Sequence, residues 1–438
     1  MRASICEVEG KNTLVTAREN ELITLSGPGT PGGALMRRYW HPIALSPDLP
    51  PGGAPQAVQI LGERLVLFRD EKGRPGLLGI HCSHRCADLS YGRIEDGGLR
   101  CLYHGWLYDI EGRCLEQPGE PVDSTYKDEI RHKAYVCKET SGIIFAYMGA
   151  DAPPLFPDYQ FLHVPDDHRS TSKTFMNCNW LQGLEGDIDP VHLSYLHGAA
   201  TPPDTRAVKG DERSADFHYR NDRRPTLDIE WADFGVRIFS VRRAEGDKKY
   251  VRVTNFIMPN KAAIVGNEGR LNQGNQINWH VPTDDSHHLR FDITINRERP
   301  LDMTRYTGKG DEVMPDGRLI RNQGNRYLQD RDEMSKTFTG MGGYFMAHDA
   351  FATESQGPIH DRTREHLGTT DKFIAAARRQ ILEGIADVEA GREPRHSIRD
   401  AADNDLSHIV VLSEVVPEDT DHMGMWKKYA SEKRANGA

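Results

Sequence analysis

Between Ala57 and Met148, apolar residues come in short alternating runs: VQILGERLVLFRD, GLLGIHC, LRCLYHGWLYD and SGIIFAYMG, separated by turns such as EKGRP and IEGR. Successive strand residues face opposite sides, so runs of this length with a period of two and Gly or Pro at their ends predict a small all-β domain. Pro153, Pro154 and Pro157 in ADAPPLFPDYQ end the pattern and place a boundary near residue 155. Downstream, IEWADFGVRIFSVRRA, KKYVRVTNFIM, NQINWHVP and HHLRFDITINRE alternate as antiparallel strands do. NWLQGLEGDIDPVHLSYLHG has helical composition, and KFIAAARRQILEGIADVEAG reads as a strong helix. Strands grouped together with helices beside them predict an α+β fold. Residues 302–318 read as a polar loop and the terminal SEKRANGA as a frayed end.

Composition narrows the picture. The 438 residues suggest two or three domains, and 37% hydrophobic with 27% charged residues suits a soluble globular chain. No run approaches the ~18 apolar residues of a membrane span, and MRASICEVEG lacks the basic and apolar regions of a secretory signal, so the expected location is cytoplasmic. A net charge of −10 argues against nucleic acid held by counterion release. Gly27, Gly29 and Gly32 match a dinucleotide-binding spacing, but Pro28 and Pro31 remove N–H donors that a phosphate cradle needs, and no βαβ unit follows. Seven cysteines are too few for a disulfide scaffold, so their clustering with histidine points to metal or catalysis.

That clustering is specific. Cys82-Ser83-His84 is followed, after sixteen residues, by Cys101-Leu102-Tyr103-His104. Two such pairs on two loops of a β-domain supply two thiolates to one iron and two imidazoles to the other, the Rieske arrangement. A zinc site with the same donors is the alternative, although zinc fingers usually group cysteine with cysteine and histidine with histidine.

In the second domain, His192 and His197 with a distant carboxylate would make a facial triad that leaves positions open on an iron. Five residues turn about 140° past one full helical turn, so one metal on both needs a bent or ending helix, with Gly198 as a candidate end. Asp349, Glu354 and Asp361 compete for the third position. Each of these residues also has a plainer reading. The two histidines could be a satisfied pair, Asp189 an N-cap with Pro190 at N1, and Asp361 and Arg362, with Arg364 and Glu365, a solvated helix start. Arg252 shares one strand face with Tyr250, Thr254 and Phe256; arginine is mostly exposed, so an outward direction is expected.

CSHRCADLSYGR followed by LRCLYHGWLYDIEG resembles the Rieske non-haem iron ring-hydroxylating oxygenases. Respiratory Rieske proteins carry a further disulfide-linked cysteine in each loop, and Cys86 has no such counterpart between Cys101 and His104. GPGTPGGALMRRYWHP, NWLQGLEGDID and ESQGPIHDRTREHLG look like the phthalate 4,5-dioxygenase-like branch. The resemblance implies an all-β Rieske [2Fe-2S] domain over residues 38–155. It implies a catalytic domain over 156–438, an antiparallel sheet flanked by helices of helix-grip (TBP-like) type, with residues 1–37 associated with it. It further implies one [2Fe-2S] cluster on Cys82, His84, Cys101 and His104, and one mononuclear Fe(II) on His192, His197 and Asp349. Asp189 would hydrogen-bond His192 and reach His104 of a neighbouring subunit, in a homotrimer or dimer of trimers. The implied activity is that of a terminal oxygenase using O2 and electrons from an NADH-dependent flavin and iron–sulfur reductase. Its substrate would be a small aromatic, an aromatic carboxylate undergoing cis-dihydroxylation; Pro190, beside the bridging acid, departs from relatives and sets phthalate itself in doubt. O-demethylation of a methoxylated acid is the alternative, and a Rieske electron carrier would leave residues 156–438 without a task. Cys86 has no assigned role, and Cys6, Cys114, Cys137 and Cys178 are expected to be buried thiols.

Overall fold

The computed structural model describes residues 15–198, 215–266, 274–303, 312–314 and 316–435, so Cys6, most of the 302–318 loop and the last three residues lie outside it. The alternating runs of the first half become β1 (Trp40–Leu45), β2 (Gln56–Ile60), β3 (Glu63–Arg69), β4 (Pro75–Gly79), β5 (Arg93–Glu95), β6 (Gly98–Arg100), β7 (Leu107–Tyr108), β8 (Cys114–Glu116), β9 (Ala134–Thr140) and β10 (Ile143–Tyr147). They form an antiparallel sheet in the order β1-β10-β9-β4-β3-β2 and a small meander β5-β6-β7-β8. Three hairpins close on two-residue turns, Leu61-Gly62, Asp96-Gly97 and Ser141-Gly142, with both residues at positive φ in each. That is the type I′ requirement, whose twist matches the flanking strands.

The second sheet contains β11 (Arg169–Met176), β12 (Thr226–Trp231), β13 (Gly235–Arg243), β14 (Lys248–Ile257), β15 (Lys261–Val265), β16 (Gly274–Pro282), β17 (His288–Asn296) and β18 (Leu412–Pro417). Its order is β11-β17-β16-β15-β14-β13-β12, with β18 paired to β14. Among the described residues the helices are α1 (Ala17–Thr24), α2 (Pro31–Met36), α3 (Tyr126–Glu129), α4 (Trp180–Ile188), α5 (Ala215–Asn221), α6 (Phe345–Glu354), α7 (Lys372–Glu389) and α8 (Met425–Ala435). Helix α4 crosses β15, β16 and β17; α6 packs on α4, and α7 on β13 and the N-terminal helices. One apolar core runs from β1 and β10 through α4, β16 and β17 to α7, and Phe145 meets Trp279 with centroids 5.5 Å apart inside it.

The glycine-rich N-terminal turn is occupied by the protein itself. Ser26 and Gly27 N–H donate to Asp285 Oδ1 at 2.7 and 3.2 Å, and Thr30 caps α2. The charged stretch at Arg362 is not a solvated helix start. Asp361 is exposed and receives Thr363 N–H, but Arg362 is fully buried and pairs with Glu185 on α4 at 2.8 Å. Arg378 on α7 pairs with the same Glu185 at 2.6 Å and with Glu365 at 2.6 Å. Two guanidiniums and two carboxylates thereby tie α4 to α7, which compensates the cost of burying each charge.

Candidate metal centres and the active cavity

The two Cys-His loops are built alike. Cys82 N–H donates to Ala87 O and Cys86 N–H to Cys82 O; Cys101 N–H donates to Trp106 O and Gly105 N–H to Cys101 O, all between 2.9 and 3.0 Å. Cys86 and Gly105 are equivalent positions, with φ of 58° and 75°. Both thiols are buried, whereas His84 and His104 are exposed, their ring centroids 4.5 Å apart, with His84 stacked on Trp106. Tyr108 Oη lies 3.2 Å from Cys82 Sγ. His132 Nε2–H donates to Gly79 O, which leaves Nδ1 to accept the Ser83 hydroxyl at 2.7 Å. Burial raises the Cys101 thiol, and so does the Cys82 sulfur beside it, against the pull of nearby backbone N–H groups. A buried thiol raised in this way, with a second buried thiol beside it, becomes a thiolate readily only beside a cation, so the donor set fits an iron pair.

The long helix expected over residues 179–198 stops at Ile188. Pro190 has no N–H to donate and pushes Asp189 into an extended conformation (ψ 117°), so Asp189 is the C-cap of α4, not an N-cap. Its Oδ1 accepts Val191 N–H at 2.7 Å, and a single 3-10 turn, His192–Ser194, follows. This break is the bend that the five-residue spacing demands: His192, His197 and Asp349 offer donor atoms all within 4.8 Å of one another. Glu354 does not join them, being held by Tyr327 Oη and Asn177 N–H, and Asp361 is on the exposed turn. Asp189 Oδ2 is 3.8 Å from His192 Nδ1, an ion-pair distance longer than a hydrogen bond, and His192 Nδ1 has no hydrogen-bond partner.

His348 decides which nitrogen of His197 is available. His348 Nε2–H donates to Gly342 O at 3.1 Å, so its Nδ1, 3.3 Å from His197 Nδ1, accepts that proton. His197 then presents Nε2 to Asp349 Oδ1 at 3.0 Å. A lone pair facing a carboxylate at this distance calls for a cation between them. Arg290 Nη1 lies 3.5 Å from the other oxygen, Oδ2, and 3.0 Å from Asp187 Oδ1. Burial would raise the Asp349 carboxyl, but with a proton on His197 Nε2 in place of a cation, the hydrogen bond from His197 and the charges of Arg290 and His192 outweigh burial and hold the carboxyl well below the carboxylate range.

These residues open on a cavity of about 750 Å³ whose wall includes Tyr219, Arg252 and Phe345. Arg252 does not point outward as a surface arginine would. It is only 7% exposed, bonds Tyr219 Oη and Thr254 Oγ1, and has no acidic partner among the described residues. Arg242, equally without a carboxylate, lies on the Tyr219 ring at 4.9 Å and donates to Pro190 O at 2.8 Å, bracing the Asp189–His192 turn.

Residues 39–127 match the family described as Rieske [2Fe-2S] domain, and residues 146–437 match LigXa C-terminal domain like. The chain is 34% identical over 435 residues, 95% of each chain, to the phthalate 4,5-dioxygenase oxygenase subunit of Pseudomonas putida. The chain belongs to the Rieske non-haem iron oxygenases. It is 32% identical to the 5,5'-dehydrodivanillate O-demethylase oxygenase subunit of Sphingobium sp. (strain NBRC 103272 / SYK-6), over 89% of this chain and 85% of the relative. The fold is shared with the oxygenase in a reduced complex with ferredoxin of carbazole 1,9a-dioxygenase: TM-score 0.57, 19% identity, covering 89% of this chain and 97% of that one.

This Rieske oxygenase is therefore an oxidoreductase carrying a [2Fe-2S] cluster and a mononuclear iron, as its resemblance implied. Sequence reasoning passed over His348, Arg290 and Asp187. His348 sits beside the acid that was chosen, and its neighbourhood was the available signal. Cys137 is only partly buried, whereas Cys114 and Cys178 are buried as expected. No helix among the described residues is long and apolar enough to cross a membrane.

Proposed function

We propose that this oxygenase hydroxylates an aromatic carboxylate, with Arg252 as the group that receives the carboxylate. The observation that carries the reading is a buried guanidinium without an acid partner among the described residues, on the wall of the cavity that contains His192, His197 and Asp349. A carboxylate suits its fork, and exclusion of water strengthens the contact. The relatives named for phthalate and dehydrodivanillate act on aromatic acids, in keeping with this assignment.

In this reading Cys82, His84, Cys101 and His104 hold the cluster, and His192, His197 and Asp349 hold Fe(II). Bound there, the cluster would supply electrons one at a time and the iron would supply the chemistry of dioxygen activation. The chain's own residues do the rest. His348 keeps the His197 Nδ1 proton in place, Arg290 restrains one Asp349 oxygen, and Arg252 fixes the ring relative to the iron. Asp189 joins His192 to His104 of a neighbouring subunit in a homotrimer or dimer of trimers, for which the exposed edge of His104 is suited. Electrons come from a separate NADH-dependent reductase; the carbazole relative was captured with a ferredoxin. Cis-dihydroxylation is the favoured outcome, with O-demethylation as the second reading because one relative is a demethylase. The proposed compartment is the cytoplasm.

The test is binding of aromatic carboxylates and their neutral amides to the anaerobic holoenzyme. Carboxylates should bind at least tenfold tighter, and Arg252→Gln should remove the difference; equal binding of acid and amide to wild type refutes the assignment.

A further inference from the structure

Beneath α4, two fully buried histidines stand in line between two acceptors. His288 Nδ1 is 2.8 Å from the Cys178 carbonyl oxygen, His288 Nε2 is 3.1 Å from His280 Nδ1, and His280 Nε2 is 2.7 Å from Asp187 Oδ2. All four ring nitrogens are engaged, which fixes both ring orientations. A carbonyl only accepts, so His288 Nδ1 carries a proton. Asp187 is ionised, because its oxygens also receive Arg290 Nη1–H at 3.0 Å and Asn278 Nδ2–H at 2.8 Å, so His280 Nε2 carries a proton too. The contact between the rings needs a third. Two neutral imidazoles bring only two protons.

We propose that the His280–His288 pair stores one excess proton as a shared imidazolium, with Asp187 as its counter-ion, and releases it through Asp187 into the active cavity during oxygenation. Asp187 lines the cavity that holds His192, His197 and Asp349, so the store ends at the reaction space. Helix α4 crosses the pair at Gly183, where a Cβ would stand 2.6 Å from His280 Nδ1 and 2.7 Å from His288 Nε2, leaving no room for a water between the rings. The charged groups facing the line are Asp187 on α4, Arg290 on β17 and, beyond Arg290, Asp292 on β17 and Asp349 on α6. Burial, with the His280 ring beside it, holds the His288 imidazole well below its ordinary value.

The chemistry has a use for it, on the oxygenase reading above. Adding both atoms of dioxygen to a ring consumes two electrons and two protons; inserting one atom and releasing the other as water consumes the same. The electrons come from the reductase. In the proton step, which supplies one of the two protons while cavity water supplies the other, the His280 Nε2–H bond breaks, the proton passes to Asp187 and then to a reduced oxygen atom in the cavity, where an O–H bond forms, and no electron leaves the histidines. The pair is left with two protons, on His280 Nδ1 and His288 Nδ1, so the ring–ring and Cys178 contacts keep a donor, and the His280 Nε2–Asp187 contact lacks one until the store is reloaded. Water in the cavity reloads it through Asp187.

Two measurements test this. Neutron diffraction from deuterium-exchanged crystals of the holoenzyme should show three deuterons on the four ring nitrogens; two would overturn the store whatever the reaction is. In His280→Gln, which can still donate to Asp187 but holds no mobile proton, cluster and iron content should be unchanged. Single-turnover product formation should fall about 100-fold, as for loss of a general acid. The residual rate should decline as pH rises, and peroxide should replace product. His288→Gln should behave alike. A wild-type rate and pH profile in either folded variant overturns the delivery role. Failure of wild type to oxidise any aromatic carboxylate, with three deuterons present, would instead reject the oxygenase substrate assignment and leave the store standing.

Discussion

His348 Nδ1 lies 3.3 Å from His197 Nδ1, and the far nitrogen of the same His348 ring is committed to the Gly342 carbonyl. The imidazole beside Asp349 therefore fixes the tautomer of His197. Groups that orient ligating imidazoles typically contribute 10–100-fold to metal affinity. His348→Leu should lose mononuclear iron by about that factor in competition with a chelator, while the visible spectrum of the cluster stays as in wild type.

Asp189 is tied down by Val191 N–H through one oxygen and leaves the other 3.8 Å from His192 Nδ1. Asp189→Ala should keep both metal contents yet slow reoxidation of the reduced cluster by dioxygen and substrate by about 10–100-fold, as for a lost supporting group. Stopped-flow absorption of the cluster measures it; an unchanged rate removes the electron-bridging role.

Arg252→Gln should weaken binding of an aromatic acid by roughly 10- to 150-fold, the equivalent of about 1.5–3 kcal/mol for a hydrogen bond to a charged group. Binding of the neutral amide should move far less. Calorimetric titration of the anaerobic protein separates the two.

Glu185 neutralises Arg362 and Arg378 inside the protein. Glu185→Gln leaves both buried guanidiniums short of charge and should cost about 3–5 kcal/mol in denaturant unfolding. Glu365 adds a pH signature. Burial alone would raise its carboxyl, but hydrogen bonds from His360 and Arg378 and the Arg378 and Arg362 charges bring it down to about 2. A folded value below the unfolded ~4.3 gives stability that is present above that pH and is lost as pH falls toward 2. In Glu365→Gln, unfolding should be less pH-dependent across that window.

The Rieske loops were legible because the pattern is local: each Cys-His pair occupies three or four consecutive residues, and hairpin turns such as Asp96-Gly97 announce themselves. The His192–His197 spacing was legible in its consequence, a break, and Pro190 supplied it. The cavity wall was not. On β17, Phe291, Ile293 and Ile295 face the core while Arg290, Asp292 and Thr294 share the other face. Alternation reveals two faces but does not say whether the polar one meets solvent or a buried cavity. Arg252 on β14 was read outward for that reason. Arg362 was misread similarly, since its partner Glu185 is 177 residues away. Cys86, equivalent to Gly105 at positive φ, became understandable only when the two loops could be compared atom by atom.

Single turnover of the fully reduced protein with heavy-isotope dioxygen and an aromatic carboxylate addresses the reading most directly. A ring product that gains two labelled oxygens is the expected result, and loss of a methyl group as the aldehyde would select the demethylase reading. Dioxygen consumed with no labelled product from any acid, in protein with both iron centres intact, would contradict it.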